Sequence, residues 1–370
     1  MKKISFLFLS LSFFISSCQN SSNIVYDQSI SYRVETVVDD LEIPWGMVFL
    51  PDGSILISEQ TGELILFNKG NKIEVKNVPK VYNKNQGGLL DMELHPNYAQ
   101  NKWIYFSYSS NIENDGKGGN TTIMRAKIVD NKLVDQEILY KAVPNTKKGQ
   151  HFGSRLEFDN DGYLFFSIGD RGNRDVNPQD IKRDGGKIYR INDDGSIPTD
   201  NPFYTINGAK KAVYSYGHRN PQGMAIHPIS GKIWIHEHGP QGGDEINSIT
   251  AGKNYGWPKI TYGINYNDTK ITDDTSLPGM EQPLHYWTPS IAPSGMTFVT
   301  SEIYPSWKGN LLVGSLKFKY LNRVIVENNK VIKEEKLLEG LGRVRTVRQA
   351  PDGYIYVAIE QLGIVRIVPE

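Results

Sequence analysis

The chain has 370 residues, 39% hydrophobic and 22% charged, enough for one large all-β domain or two ordinary domains with a sizeable core. Lys+Arg and Asp+Glu both count 41, so no bulk charge points to nucleic acid or to a membrane surface as partner. Thirty-five Gly, 19 Pro and 20 Tyr favour many strands joined by tight turns.

At the N-terminus, Lys2 and Lys3 precede an apolar run over residues 6–15 that is too short to span a bilayer. The run ends on Ser16, Ser17 and Cys18. Residues 1–18 therefore read as a lipoprotein signal with Cys18 as its lipidation site; the alternative is an ordinary secretory signal with a stray cysteine. Cys18 is the only cysteine, so no disulfide can form within the chain. Residues 19–31 read as a tether and 32–370 as the folded domain.

A repeated unit runs through that domain: a short apolar strand, a turn carrying Pro, Asp, Asn or Gly, then a strand rich in β-branched and aromatic residues. The copies are WGMVFLPDGSILISE from Trp45, LLDMELHPNYAQNKWIYFSY from Leu89 and SRLEFDNDGYLFFSIGD from Ser154. They continue as QGMAIHPISGKIWIHEHG from Gln222, SGMTFVTSEIYPSWKGNLLVGSL from Ser294 and VRTVRQAPDGYIYVAIE from Val344. Six such units predict an all-β, six-bladed β-propeller, with a β-sandwich array as the competing architecture. Residues 32–38 and 363–368 are left over at the two ends and are expected to pair in one blade, closing the ring. Loops leaving the inner strands then gather at one mouth of the central channel, where ligand sites form. His95 and His227, each followed by proline in a repeat turn, are expected to be turn residues.

The residues with the sharpest chemistry fall in those loops. Gln86 precedes the second copy and could donate to a ligand carbonyl. His151 precedes the third copy and is a candidate general base, because a neutral imidazole takes a proton at neutral pH. Asp170, after the next strand, could orient that imidazole. Read individually, these are equally a solvated turn glutamine, a structural histidine and a turn aspartate. Arg219 and Asn220 pair a guanidinium with an amide, suited to gripping a carboxylate or carbonyl. Segment 234–258, WIHEHGPQGGDEINSITAGKNYGWP, gathers His236, Glu237, His238, Asp244 and Glu245 around Gly239-Pro240. Its proline and glycines force an irregular loop with free carbonyls beside carboxylates, the ligands a hard cation such as calcium takes. Lys317 follows the fifth copy, and Arg343, Arg345 and Arg348 cluster where the sixth begins. Residues 343 and 345 face one side of an extended segment and suit an anionic ligand. A P-loop, Gly-x-Gly-x-x-Gly, Cys-x-x-Cys and His-Glu-x-x-His are all missing, which argues against NAD, ATP and structural zinc.

The ordered motifs IPWGM, QGGLLDMELHP, GQHFGSRLEFD, SYGHRNPQGMAIHP, HEHGPQGGDEIN, GKNYGWP, HYWTPSIAPSGM and GLGRVR resemble the soluble aldose sugar dehydrogenases that use pyrroloquinoline quinone (PQQ) and calcium, the glucose/sorbosone dehydrogenase family. The resemblance runs from about Pro44 to the C-terminus and implies a six-bladed propeller. It also implies that His151 removes the proton of the sugar's anomeric hydroxyl while hydride passes from C1 to PQQ, giving a lactone, with Asp170 orienting His151 and Arg219 at the reacting centre. The carbonyls of Gly239 and Pro240 would bind the catalytic calcium, with Asp244 supporting their loop. Glu245 and the carbonyl of Tyr255 would bind a second, structural calcium. Gln86, Arg219, Asn220, His238, Ser290, Lys317, Arg343 and Arg345 would hold the cofactor.

The chain also departs from the pattern. His238 stands where the dedicated glucose dehydrogenases carry glutamine, Thr288 where an aromatic residue precedes the proline, and the long inserted loops are shorter. These departures imply the broader aldose branch and a monomer. The implied partners are an aldose, an external electron acceptor and a membrane reached only through the lipid anchor. The rival readings are a calcium-dependent lactonase and a non-catalytic glycan- or protein-binding propeller.

Overall fold

The computed structural model describes residues 30–111 and 117–370. The signal segment with Cys18, and tether residues 19–29, lie outside the described residues. The last two tether positions belong to the domain: Ile30 packs on the core, and Ser31 Oγ donates to Glu370 Oε2 at 2.9 Å.

Six four-stranded antiparallel sheets form the domain, a six-bladed β-propeller. Their inner strands are Pro44–Phe49, Leu89–Leu94, Leu156–Phe158, Pro221–Ile226, Pro293–Phe298 and Val344–Gln349, one in each sequence repeat. In blades 1 to 5 three further strands follow outward in chain order. Blade 6 takes its fourth strand from the N-terminus: Tyr32–Asp39 pairs antiparallel with Gly363–Pro369, Tyr32 opposite Pro369 and Asp39 opposite Gly363. This is the expected ring closure, and it hides an edge that would otherwise be open to pairing.

The second strands Ile55–Glu59, Leu164–Ile168, Ile233–Glu237, Leu311–Ser315 and Ile355–Ile359 are buried along their whole length. Each sheet is covered on both faces by its neighbours, so the repeats read as continuous apolar runs rather than alternating ones. One apolar cluster fills each of the six gaps between consecutive blades. Between blades 5 and 6, Leu312 and Leu321 meet Val347 and Val357. Between blades 6 and 1, Ile364 and Val38 meet Met47 and Ile57.

The channel axis is polar. The buried Arg155 guanidinium lies 4.1 Å from the Trp45 ring centroid and donates to Asp91 Oδ1 (3.1 Å), the Gln222 carbonyl (2.6 Å) and the Arg345 carbonyl (3.1 Å). One cation thereby ties blades 1, 2, 3, 4 and 6 together beneath the mouth. Arg348 does not join Arg343 and Arg345. It turns to the axis, pairing with Glu93 (2.7 Å) and Asp91 (3.5 Å). His95 and His227 are turn residues as expected: each ring nitrogen Nδ1 accepts a backbone N–H two residues on. No helix among the described residues is long and apolar enough to cross a membrane.

Candidate active site at the channel mouth

His151 and Asp170 come from loops on either side of blade 3's first two strands, and the fold brings their side chains to 2.6 Å, Nδ1 to Oδ1. Burial, then the Arg219 guanidinium, holds the imidazole below its ordinary 6.5 despite the neighbouring carboxylate. Burial pulls the Asp170 carboxyl up, but the His151 hydrogen bond and charge, Arg219 and the Trp257 indole outweigh it, and the group ends below 3.8. At neutral pH the pair is therefore a carboxylate facing a neutral imidazole. Nδ1–H donates to Asp170 and Nε2 is left as the proton acceptor.

This pair is braced on all sides. Trp257 Nε1 donates to Asp170 Oδ2 (2.9 Å), and the Gly172 amide donates to Oδ1 (2.7 Å). Arg171 is buried, with its guanidinium 3.4 Å from the Phe152 ring centroid, and donates to the carbonyls of Gln150 and Lys148 (the latter at 2.8 Å). His151 itself sits at φ 57°, a conformation costly for a residue with Cβ, and its amide donates to Gln86 Oε1 at 2.7 Å. The histidine lines a cavity of ≈ 280 Å³ with Arg219, Pro240, Trp257, Arg174 and Tyr266.

A second cavity, ≈ 250 Å³, is lined by Trp45, Gln86, Gln222, His238, Arg343, Arg345 and Glu360, among others. Gln86 joins the two, since it lines this cavity and holds the His151 amide. Arg343 Nε donates to Glu360 Oε2 (2.6 Å) and Arg345 Nε to Oε1 (2.9 Å). His238 is half-buried, and its basicity is lowered by desolvation and then by His236, Arg219 and His151. His238 Nε2 and Gln222 Oε1 have no hydrogen-bond partner among the described residues. The wall thus combines two cations with one imidazole nitrogen and one amide oxygen that lack partners among the described residues, a polar set whose cations suit an anionic ligand.

The Gly239-Pro240 loop is as tight as its composition predicts: a Cβ on Gly239 would lie 2.0 Å from the Gly242 carbonyl oxygen. Asp244 supports it from behind, accepting from the Gly239 amide (2.8 Å), Ser290 Oγ (2.9 Å) and the Ile291 amide (2.7 Å). The Gly239 carbonyl is not bare. Arg219 Nη1 donates to it at 2.9 Å and to the His238 carbonyl at 3.1 Å, which leaves one lone pair of the Gly239 oxygen for a cation. Alongside, Glu237, Glu245, Gly243 and Tyr255 line a void of only ≈ 10 Å³, room for one ion or water. Burial, then repulsion from Glu237, pushes the Glu245 carboxyl up to about 8, a strain that a hard cation would relieve. Among the described residues no group of three or more His, Cys, Asp or Glu side chains is set to hold a metal, so a cation here would depend on carbonyls and this carboxylate pair.

Of the expected cofactor contacts, Gln86, His238, Arg343 and Arg345 line the second cavity and Arg219 the first. Three others are placed differently. Lys317 is exposed with its ammonium over the Phe318 ring at 5.1 Å, and its neighbour Leu316 forms the wall instead. Asn220 Oδ1 accepts the Gly153 amide (3.1 Å), and Ser290 is spent on Asp244. Trp257, Gln222, Arg171 and Glu360 join the site without having stood out in the sequence. Trp257 and Gln222 lie inside quoted motifs, but neither carries a titratable group that would single it out.

The family model for glucose/sorbosone dehydrogenase matches residues 41–366. The chain belongs to the glucose/sorbosone dehydrogenase family. It is 41% identical over 358 residues to the aldose sugar dehydrogenase YliI of Escherichia coli K12, covering 95% of this chain and 96% of that one. The apo-form crystal structure of the soluble aldose sugar dehydrogenase of Escherichia coli superposes with a TM-score of 0.86 at 38% identity, over 92% of this chain and 100% of that one. The PQQ-bound aldose sugar dehydrogenase of Streptomyces coelicolor gives 0.75 at 26% identity, over 93% and 100%. The protein is therefore an oxidoreductase of the sugar dehydrogenase type, which prevails over the lactonase and binding-only readings.

Proposed function

We propose that the protein oxidises aldose sugars at C1 to lactones, with PQQ as cofactor, calcium at the Gly239-Pro240 loop and His151 as general base. The reading is carried by one juxtaposition: a braced His151–Asp170 pair opens on one cavity, and an arginine pair lines the adjoining one. The PQQ-bound relative in Streptomyces coelicolor supports the same cofactor. When bound, PQQ supplies the hydride acceptor, and calcium stabilises the negative charge that develops on it.

The chain's own residues do the rest. Arg343 and Arg345, with Gln86, Gln222 and His238, would hold PQQ, the guanidinium groups supplying charge to an anionic ligand and the amides and imidazole hydrogen bonds. The sugar enters the cavity lined by Arg174, Tyr266 and Trp257. His151 Nε2 takes the anomeric hydroxyl proton. Asp170 holds the ring in the tautomer that leaves Nε2 free and stabilises the imidazolium that forms. Arg219 offers a guanidinium donor in the wall of the His151 cavity. Glu245, Glu237 and the Tyr255 carbonyl would hold a second, structural calcium. The protein acts as a monomer, exported and anchored by a lipid on Cys18, facing the periplasm or exterior, and passes its electrons to an external acceptor.

The test is dye reduction by purified protein, with and without PQQ and calcium, over glucose, other aldoses and a disaccharide. Activity that needs both additions is expected, and EDTA should abolish it while lowering the melting temperature. Absence of dye reduction together with no PQQ binding by fluorescence would overturn the proposal.

A further inference from the structure

Glu360 was not foreseen from the sequence, and it is the only acid among the residues lining the arginine cavity. The antiparallel register places it there. Val344 pairs with Ile359, so the residue after Ile359 falls between the arginines that flank Val344. The Glu360 amide also donates to the Arg343 carbonyl at 3.0 Å. Its two carboxylate oxygens are divided between the two guanidinium groups, Oε2 to Arg343 Nε (2.6 Å) and Oε1 to Arg345 Nε (2.9 Å) and Nη2. Arg343 Nη1 donates to the Leu316 carbonyl at 3.2 Å. Arg345 and Glu360 are each only 10% exposed at the side chain. A buried arginine without a counter-ion would be strongly destabilising, so this carboxylate stabilises the fold around Arg345.

We propose that Glu360 is an internal counter-anion that holds Arg343 and Arg345 in place and sets an electrostatic threshold for the anions the cavity admits. It accepts from donors of both guanidinium groups that an incoming carboxylate would also use, and its charge opposes such a carboxylate. Weakly charged anions do not outcompete it. PQQ, whose three carboxylates come with ring groups that can also hydrogen-bond to Gln86, Gln222 and His238, does; charge without those groups, as in citrate, does not. The affinity given up is exchanged for selectivity and for a folded apoprotein. This inference rests on the PQQ reading above for its preferred ligand, but not for the role of the carboxylate.

The experiment compares wild type with E360Q, which keeps the shape and removes the charge. PQQ affinity is measured by fluorescence titration in the presence of calcium, and thermal melts are recorded alone, with PQQ and with citrate as a second polycarboxylate. E360Q should melt lower on its own. It should bind PQQ about 10-fold more tightly, the equivalent of ~1.4 kcal/mol. Citrate should raise the melting temperature of E360Q and leave that of wild type unchanged. Equal or weaker PQQ binding by E360Q would overturn the proposal and reduce Glu360 to an orienting brace. Failure of wild type to bind PQQ would instead overturn the cofactor reading, and the citrate comparison would still decide the role of Glu360. Should E360Q not fold, E360S carries the same comparison.

Discussion

The two cavities at the mouth are held in contrasting ways. His151 is fixed by Asp170, Gln86 and, through its loop, Arg171, and Asp170 is fixed in turn by Trp257 and Gly172. The arginine cavity depends on one carboxylate, Glu360, and keeps two buried polar atoms without partners among the described residues, His238 Nε2 and Gln222 Oε1. A general base works from a geometry already built before substrate arrives, because reorganisation during the reaction would raise the barrier. A cavity that must take up a large polar ligand keeps groups that only the ligand satisfies. The first region should therefore report mutations in turnover, and the second in ligand affinity and stability.

The hardest strike on the braced side is His151→Ala. It should cut kcat by about 10²–10⁴-fold, the contribution of a positioned general base, with PQQ affinity by fluorescence nearly unchanged. Turnover that survived the change would remove His151 from the mechanism and dissolve the contrast.

A smaller effect is expected beneath the arginine side. His236 is wholly buried, and neither ring nitrogen has a partner among the described residues. Burial, then Arg155, holds its pKa at about 3 instead of 6.5. Between those values the unfolded chain binds a proton that the folded chain refuses, so stability falls as pH drops from 6.5 towards 3. At ~1.36 kcal/mol per pH unit the loss from this residue is about 2 kcal/mol by pH 5. Denaturant melts at pH 7 and pH 5 measure it, and His236→Gln should flatten the dependence. An equally steep dependence in the mutant would place the acid sensitivity elsewhere, with His238 the next candidate.

The smallest effect sharpens the contrast. Trp257→Phe removes the indole N–H from Asp170 and should lower kcat by roughly 10-fold, the scale of one buried hydrogen bond to a charged group. Losing that donor makes the carboxylate a better acceptor for His151 Nδ1–H and favours imidazolium. The acid limb of kcat/KM, expected below pH 6.5 in wild type because burial keeps His151 neutral, should then move to higher pH. A change in kcat with no movement of the limb would mean that Trp257 acts by packing alone.

Much of this was legible in the sequence because a propeller is a local design repeated. Each copy carries its own turn chemistry and its own pair of apolar strands, and the unpaired segments 32–38 and 363–368 announce the closure. His151, Asp170, Arg219, Arg343 and Arg345 were legible because their groups are charged or titratable and lie in loops at repeat boundaries. Where a long cation such as Lys317 points is not legible in the same way: packing decides it, and here its ammonium lies over Phe318. Trp257 and Glu360 were missed because their meaning depends on partners 87 and 15 to 17 positions away.

By itself, then, the chain's pattern of apolar runs and turn residues determined the repeat, the number of blades and the loops that carry polar groups, since strand formation and turns depend on neighbours a few residues apart. Only the closed ring decided which of those groups meet. It set Asp170 against His151 and Trp257, Glu360 between two arginines, and Arg155 on the axis among five blades. Burial, which turns those meetings into shifted protonation states and unsatisfied atoms, exists only once the six sheets have packed on one another.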